Sequence, residues 1–171
     1  MKRRMAMRGF LVLFALCVAS GTAQADSWGG GNLDLRVQQV SFTPARAHVG
    51  DTIQVTVRTS NMGDTGVNKT IPARILANDK EVADLLFTFG FDPGITNYTV
   101  QFQWNTGGAV PGEYRMKADF SFFEDTSPSD NYMTVKQPLI LVPAGSPFPD
   151  GQPAGGTAME IDPQANKWWN Q

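Results

Sequence analysis

The chain reads as all-β, an antiparallel β-sandwich of about seven strands, on three observations. Apolar residues recur at every second position in two neighbouring stretches, Tyr98, Val100, Phe102, Trp104 and then Tyr114, Met116, Ala118, Phe120, with Thr, Gln, Arg, Lys and Asp between them. Strands alternate faces, so this pattern suits a half-buried sheet. Turn-forming clusters punctuate the chain about every 8 to 15 residues. No sustained helical period interrupts them.

Before the first strand, Lys2, Arg3, Arg4 and Arg8 precede an apolar stretch from Gly9 to Ala19, followed by the small-residue triplet Ala23-Gln24-Ala25. That order describes a secretory signal over residues 1–25, cleaved after Ala25. The apolar run is shorter than the roughly 20 residues a bilayer core requires, so the mature chain is expected to carry no transmembrane anchor and to be periplasmic or secreted. Cys17 is the only cysteine and leaves with the signal. The fold must then stand on its core without disulfides. Loss of the four leader cations leaves 10 basic groups against 16 acidic ones, a net charge of −6, which makes nucleic acid and anionic lipid poor partners.

Residues 26–32, with Trp28 and three glycines, form a flexible lead-in. The first strand runs from Leu33 to Phe42, and its apolar phase shifts from Leu33, Leu35 and Val37 to Val40 and Phe42, which predicts a bulge or a change of sheet. Pro44 stops it, and Gly50-Asp51 turns into a strand from Thr52 to Ser60 with Ile53, Val55 and Val57 inward. A turn at Asn61 to Asp64 and a polar excursion to Thr70 follow. A strand from Ile71 to Leu76 pairs with one from Val82 to Phe89 across the loop Ala77 to Glu81. Gly90 to Gly94 resets the chain before the first ladder, and Thr106 to Gly112 separates the two ladders. The last strand spans Tyr132 to Val142, and Pro138 inside it should mark an edge or a bulge. From Pro143 the text turns to proline, glycine and polar residues, read as a disordered tail over 143–171 that buries too little to repay its ordering.

Several landmarks together resemble the bacterial CARDB family, the immunoglobulin-like domains of cell-adhesion-related proteins. They are Asp34-Leu35, Pro44, Gly50-Asp51 before Val55 and Val57, Asn61-Met62-Gly63, the ladder ending at Trp104, Pro111-Gly112-Glu113-Tyr114, Asp119, Glu124 and Asp130-Asn131. The match covers residues 33–142. It implies an immunoglobulin-like sandwich used as a non-catalytic module in contacts within the envelope or outside the cell. The chain departs from the family in placing Tyr132 after Asn131, where a second asparagine is usual.

The candidate sites are few. His48 is the only histidine and lies between Pro44 and Gly50, read as an exposed loop residue rather than a zinc ligand or a triad base. Glu124, Asp125, Asp130 and Asn131 bring four oxygen-bearing side chains into eight residues. Calcium takes such hard ligands, but the regular spacing of a calcium loop is missing, and the reading adopted is a turn in which Asp and Asn cap backbone groups. Tyr114 enters a strand after Pro-Gly-Glu, where sandwiches fix a corner with the tyrosine hydroxyl. Trp104, on its apolar ladder, reads as core.

The run Leu85 to Phe91 is the most apolar of the mature chain, and strict alternation fails in it. Phe87, Phe89 and Phe91 are therefore candidates for a partner surface, with Trp168 and Trp169 as a second candidate in the tail. No catalytic residue, metal or cofactor is proposed from the sequence. The function expected is an exported binding or adhesion-type module for another envelope or extracellular protein. The alternatives are a carbohydrate-binding module using aromatics such as Trp28, Phe91 or Trp168, and a small structural subunit of an envelope or secretion assembly.

Overall fold

The computed structural model describes residues 33–64, 67–91, 96–121 and 124–164. The expected signal and lead-in, residues 1–32, lie outside them. The described residues form eleven strands: β1 (Leu35–Thr43), β2 (Arg46–His48), β3 (Thr52–Asn61), β4 (Val67–Ala77), β5 (Lys80–Phe91), β6 (Thr96–Asn105), β7 (Gly112–Tyr114), β8 (Met116–Asp119), β9 (Tyr132–Thr134), β10 (Leu139–Val142) and β11 (Ala158–Ile161). One layer has the order β11-β1-β3-β6. The other is divided between β5-β4-β8-β9 and the smaller sheet β2-β10-β7. The core holds the inward residues of both layers, among them Leu35, Phe42, Ile53, Val55, Ile71, Ile75, Met116, Phe120 and Leu139. This is the expected all-β sandwich, with more strands than the sequence suggests: the second ladder and the last strand are each split into shorter ones, while β4 and β5 are longer than expected.

The extra strands arise where the chain changes partner. The second ladder is cut at Arg115, because Gly112–Tyr114 pairs with β10 while Met116–Asp119 pairs with β4 and β9. The expected strand from Tyr132 to Val142 is likewise two: β9 pairs with β8, and β10 pairs with β7 and, in parallel, with β2. Pro138 sits between them, where its missing donor costs no ladder bond.

The phase shift in the first strand is a bulge. Val37 faces Thr59 while Gln39 faces Arg58, so Gln38 is the extra residue. Its buried side chain donates from Nε2 to Ser60 Oγ at 2.8 Å. The β4–β5 hairpin is tighter than expected, closing through Asn78 and Asp79 at φ of 49° and 63°. Asn and Asp tolerate that left-handed conformation, which matches the strand twist. The Asn78 side chain ties the turn to its neighbour, accepting from Arg115 N at 2.8 Å and donating to Glu113 O at 2.9 Å. Part of the expected polar excursion, from Val67 to Thr70, belongs to β4.

The segment expected as a tail is folded onto the domain through residue 161. Ala158–Ile161 adds an antiparallel strand to the edge of β1, pairing Gln39 with Ile161 and Phe42 with Ala158. Upstream, Ala45 N donates to Gly156 O at 2.9 Å, and Arg46 and Gly155 exchange bonds at 3.0 and 2.9 Å. Phe148 is only 5% exposed. Its ring packs 5.1 Å from that of His48, with the Arg46 guanidinium 4.9 Å from its centre, and Arg46 pairs with Asp150. Composition undercounts this segment because its anchors are backbone bonds to open edges plus one aromatic ring.

Tyr114 takes the expected corner, its hydroxyl donating to Val110 O at 2.5 Å. Trp104, 8% exposed, meets the Tyr114 ring edge-on at 5.4 Å and is core, as its ladder position implies. His48 differs from the expected exposed loop. It ends β2, half-buried, with Nε2 3.0 Å from Ser146 O.

Candidate functional site

Among the described residues the first half of β1 has no strand on its outer side, since β11 reaches only as far as Gln39. The loop between β8 and β9 closes that gap with a mixture of main chain and side chain. Val37 N donates to Asp130 O at 2.9 Å, and Thr126 N donates to Leu33 O at 3.0 Å. Between those bonds Asp125 acts as a substitute carbonyl: Oδ2 accepts from Leu35 N at 2.6 Å while Oδ1 accepts from Ser127 N at 2.7 Å. Asn131, fully buried, is placed to donate its amide to Leu35 O and to Asp125 Oδ2, the latter at 3.2 Å. The expected capping turn is therefore found, and it caps a distant strand as well as itself.

Of the four residues that sequence groups together, the structure gathers Asp125, Asp130 and Asn131. Glu124 is exposed and stands outside the group. Asp34 joins instead: carboxylate oxygens of Asp34, Asp125 and Asp130 lie within 4.8 Å of one another. Sequence spacing hides this, because Asp34 lies about 90 residues upstream and only tertiary pairing brings it close. Its one signal is its place at the head of the first strand.

Three carboxylates so close repel one another, and their oxygens are partly withdrawn from water. Burial first, then the neighbouring Asp34, pushes the Asp130 carboxyl up to about 6, with Arg36 opposing and Asp125 adding to the rise. Asp34 is raised by burial and then by Asp125, against Arg36 and a hydrogen bond from Ser127. Asp34 Oδ1 and Asp130 Oδ1 are buried without a hydrogen-bond partner. Arg36 is drawn away, its Nε 2.6 Å from Asp162 and 3.9 Å from Asp130. Protons or a shared hard cation are the two chemical means of relieving such a cluster, and these three residues are the ones able to hold either.

The apolar candidate lies on the other sheet. β5 is the last strand of its sheet among the described residues, and Leu86 is 74% exposed while Leu85 is half-buried. The failed alternation there thus includes an apolar side chain turned outward. The side chains of Phe87, Phe89 and Phe91, and the whole of Trp168 and Trp169, lie outside the described residues. No described helix is long and apolar enough to cross a membrane.

No family model and no curated protein matches the chain. Solved structures do. The CARDB domain of the PF1109 protein from Pyrococcus furiosus, crystallised in complex with di-metal ions, is 19% identical and superposes with a TM-score of 0.50 over 66% of this chain and 96% of that one. The solution structure of the same domain, also 19% identical, gives 0.48 over 66% and 95%. A cycloisomaltooligosaccharide glucanotransferase from Paenibacillus, complexed with cycloisomaltoheptaose, is 19% identical with a TM-score of 0.46 over 67% of this chain but 15% of its own length. The chain thus has the fold of a CARDB-like, immunoglobulin-type β-sandwich.

Proposed function

We propose that this protein is an exported, non-catalytic binding module of the adhesion type, contacting another protein of the envelope or outside the cell. The observation that carries the reading is β5, a twelve-residue strand that ends its sheet among the described residues and turns Leu86 to solvent. Edge strands are templates for another chain, and proteins usually protect them. An outward leucine on such an edge, beside the exposed Pro72 across the ladder, adds an apolar anchor to main-chain pairing.

The polar clusters support the same reading. Asp125 and Asn131 hold β1 to the β8–β9 loop, and Asp119 engages Arg74 at 3.4 Å and Lys117 at 3.5 Å. These are tasks of a scaffold. No reaction is proposed.

The test is site-specific photo-crosslinking from position 86 in the native envelope, with the cross-linker placed at the equally exposed Val110 as reference. A single protein adduct from position 86, lost when Pro72 is changed to Asp, is the expected result. Identical adducts from both positions, or none from position 86, would refute it. Retention of the protein on a glycan array, abolished by substituting an exposed aromatic, would replace the protein partner with a sugar.

A further inference from the structure

The free edge of β5 is not uniform along its length. At its start Lys80, Glu81 and Asp84 are all exposed and put three charges into five residues. The ladder with β4 also slips there: Ile75 faces Ala83 while Leu76 faces Glu81, so Val82 is an extra, bulged residue. Charges and bulges are the devices by which proteins close an edge to a further strand. Past Asp84 both stop. Leu85 to Phe91 contains no charge and no proline, and its register with Ala73 back to Val67 is unbroken. Strand of that length offers about 23 Å for pairing.

Leu86 faces Pro72 across the ladder. Pro72 has no N–H to give, so this is a non-hydrogen-bonded pair, in which the N–H and C=O of Leu86 point away from β4 to the open edge. The alternation of antiparallel pairs turns the main-chain groups of Asp84 and Thr88 the same way. Side chains follow the same period, so exposed Asp84 and Leu86, the latter 74% exposed, stand on one face of the sheet. Asp84 lies opposite Arg74, but that guanidinium turns to Asp119 on the next strand, 3.4 Å away. Asp84 has no ion pair of its own among the described residues.

We propose, resting on β5 as the docking edge, that its occupant is an extended segment with an apolar residue beside Leu86 and a lysine or arginine two positions away, beside Asp84. Whichever way the added strand runs, its period of two keeps these side chains on the face that Asp84 and Leu86 share. The Val82 bulge ends the pairing, so the cation sits at the end of the segment nearest to it. Arg74 does not oppose this cation. It lies two strand spacings off, about 10 Å, beyond the screening length of about 8 Å at physiological salt. Asp84 is one spacing off, about 5 Å, well inside it.

The experiment titrates a chain of residues 26–171 with blocked heptapeptides of alternating threonine and valine, in which the valine nearest either end is replaced by lysine or by glutamate. Anisotropy of the labelled peptide reads affinity, and the amide shifts of Leu85 to Phe91 read the place of binding. At low salt the better lysine peptide should bind several-fold tighter than its glutamate twin, and the preference should shrink at high salt. Asp84→Lys should reverse that preference, Leu86→Ser should weaken every peptide while keeping it, and Glu81→Gln, beyond the bulge, should leave it nearly unchanged. All three side chains are exposed, so these variants keep the fold. Lysine and glutamate peptides that shift Leu85 to Phe91 with equal affinity would overturn the cationic partner and leave strand addition standing. So would a preference that survives Asp84→Lys or falls equally with Glu81→Gln. Peptides that shift none of those amides would overturn both.

Discussion

Replacing Phe148 by alanine asks whether the segment after Val142 belongs to the fold. The ring is 5% exposed and sits on His48 and Arg46. Burying a phenylalanine side chain contributes about 1.5–3 kcal/mol relative to leaving it in water. Stacking on an aromatic ring and a guanidinium adds about 0.5–1 kcal/mol. The site lies near the surface and collapses in part, so the expected loss is about 2–4 kcal/mol, at or below the range for a deep core phenylalanine. Urea denaturation of a chain of residues 26–171, followed by far-ultraviolet circular dichroism, should show a lower midpoint at unchanged slope, because the surface exposed on unfolding hardly changes. A residue in an undocked tail would shift stability by less than about 0.5 kcal/mol. That smaller value would refute the docking of this segment. A changed slope would show instead that the segment unfolds separately from the sandwich.

Three further outcomes are expected. Trp104→Ala should cost about 3–5 kcal/mol by the same titration, since it opens a cavity beside Tyr114; a loss below about 1 kcal/mol would place that indole outside the core. Asp130 has a folded pKa of about 6, above its ordinary 3.8, so its contribution is full below pH 3.8 and is lost as pH rises through 6. Asp130→Asn should therefore gain on the wild type between those limits, by on the order of 1 kcal/mol after allowing for solvent screening, and parallel pH profiles of the two proteins would contradict it. Gly50 has φ of 104°, and a methyl group added there would meet nothing within 4 Å, so Gly50→Ala should cost about 1–3 kcal/mol through backbone strain alone, and an unchanged melting midpoint would exclude that strain.

Periodicity carries a long way in this chain because burial on one face of a strand forces every second residue to be apolar. The two ladders, the inward set of Ile53, Val55 and Val57, and the break of phase between Val37 and Val40 could all be read before any strand was paired. The corner tyrosine was legible for a similar reason, as Pro111-Gly112 announces a strand entrance and the hydroxyl needs only local backbone. His48 was not: its surroundings come from Ser146 and Phe148, far along the chain. The acidic group was half legible. Asp125, Asp130 and Asn131 are close in sequence, whereas Asp34 arrives through the pairing of β1 with a loop near the other end of the domain.

Local alternation and turn chemistry were thus enough to determine an all-β sandwich and most of its inward-facing residues, since each depends on neighbours within a few positions. Tertiary structure alone decided where strands change sheet, that Ala158–Ile161 completes the edge of β1, and that three carboxylates converge at its head. The physical reason is that an open strand edge is a row of backbone donors and acceptors with no sequence signature of its own. What satisfies it, whether a strand drawn from a proline-rich segment or an aspartate standing in for a carbonyl, is settled only when the whole chain has closed around its core.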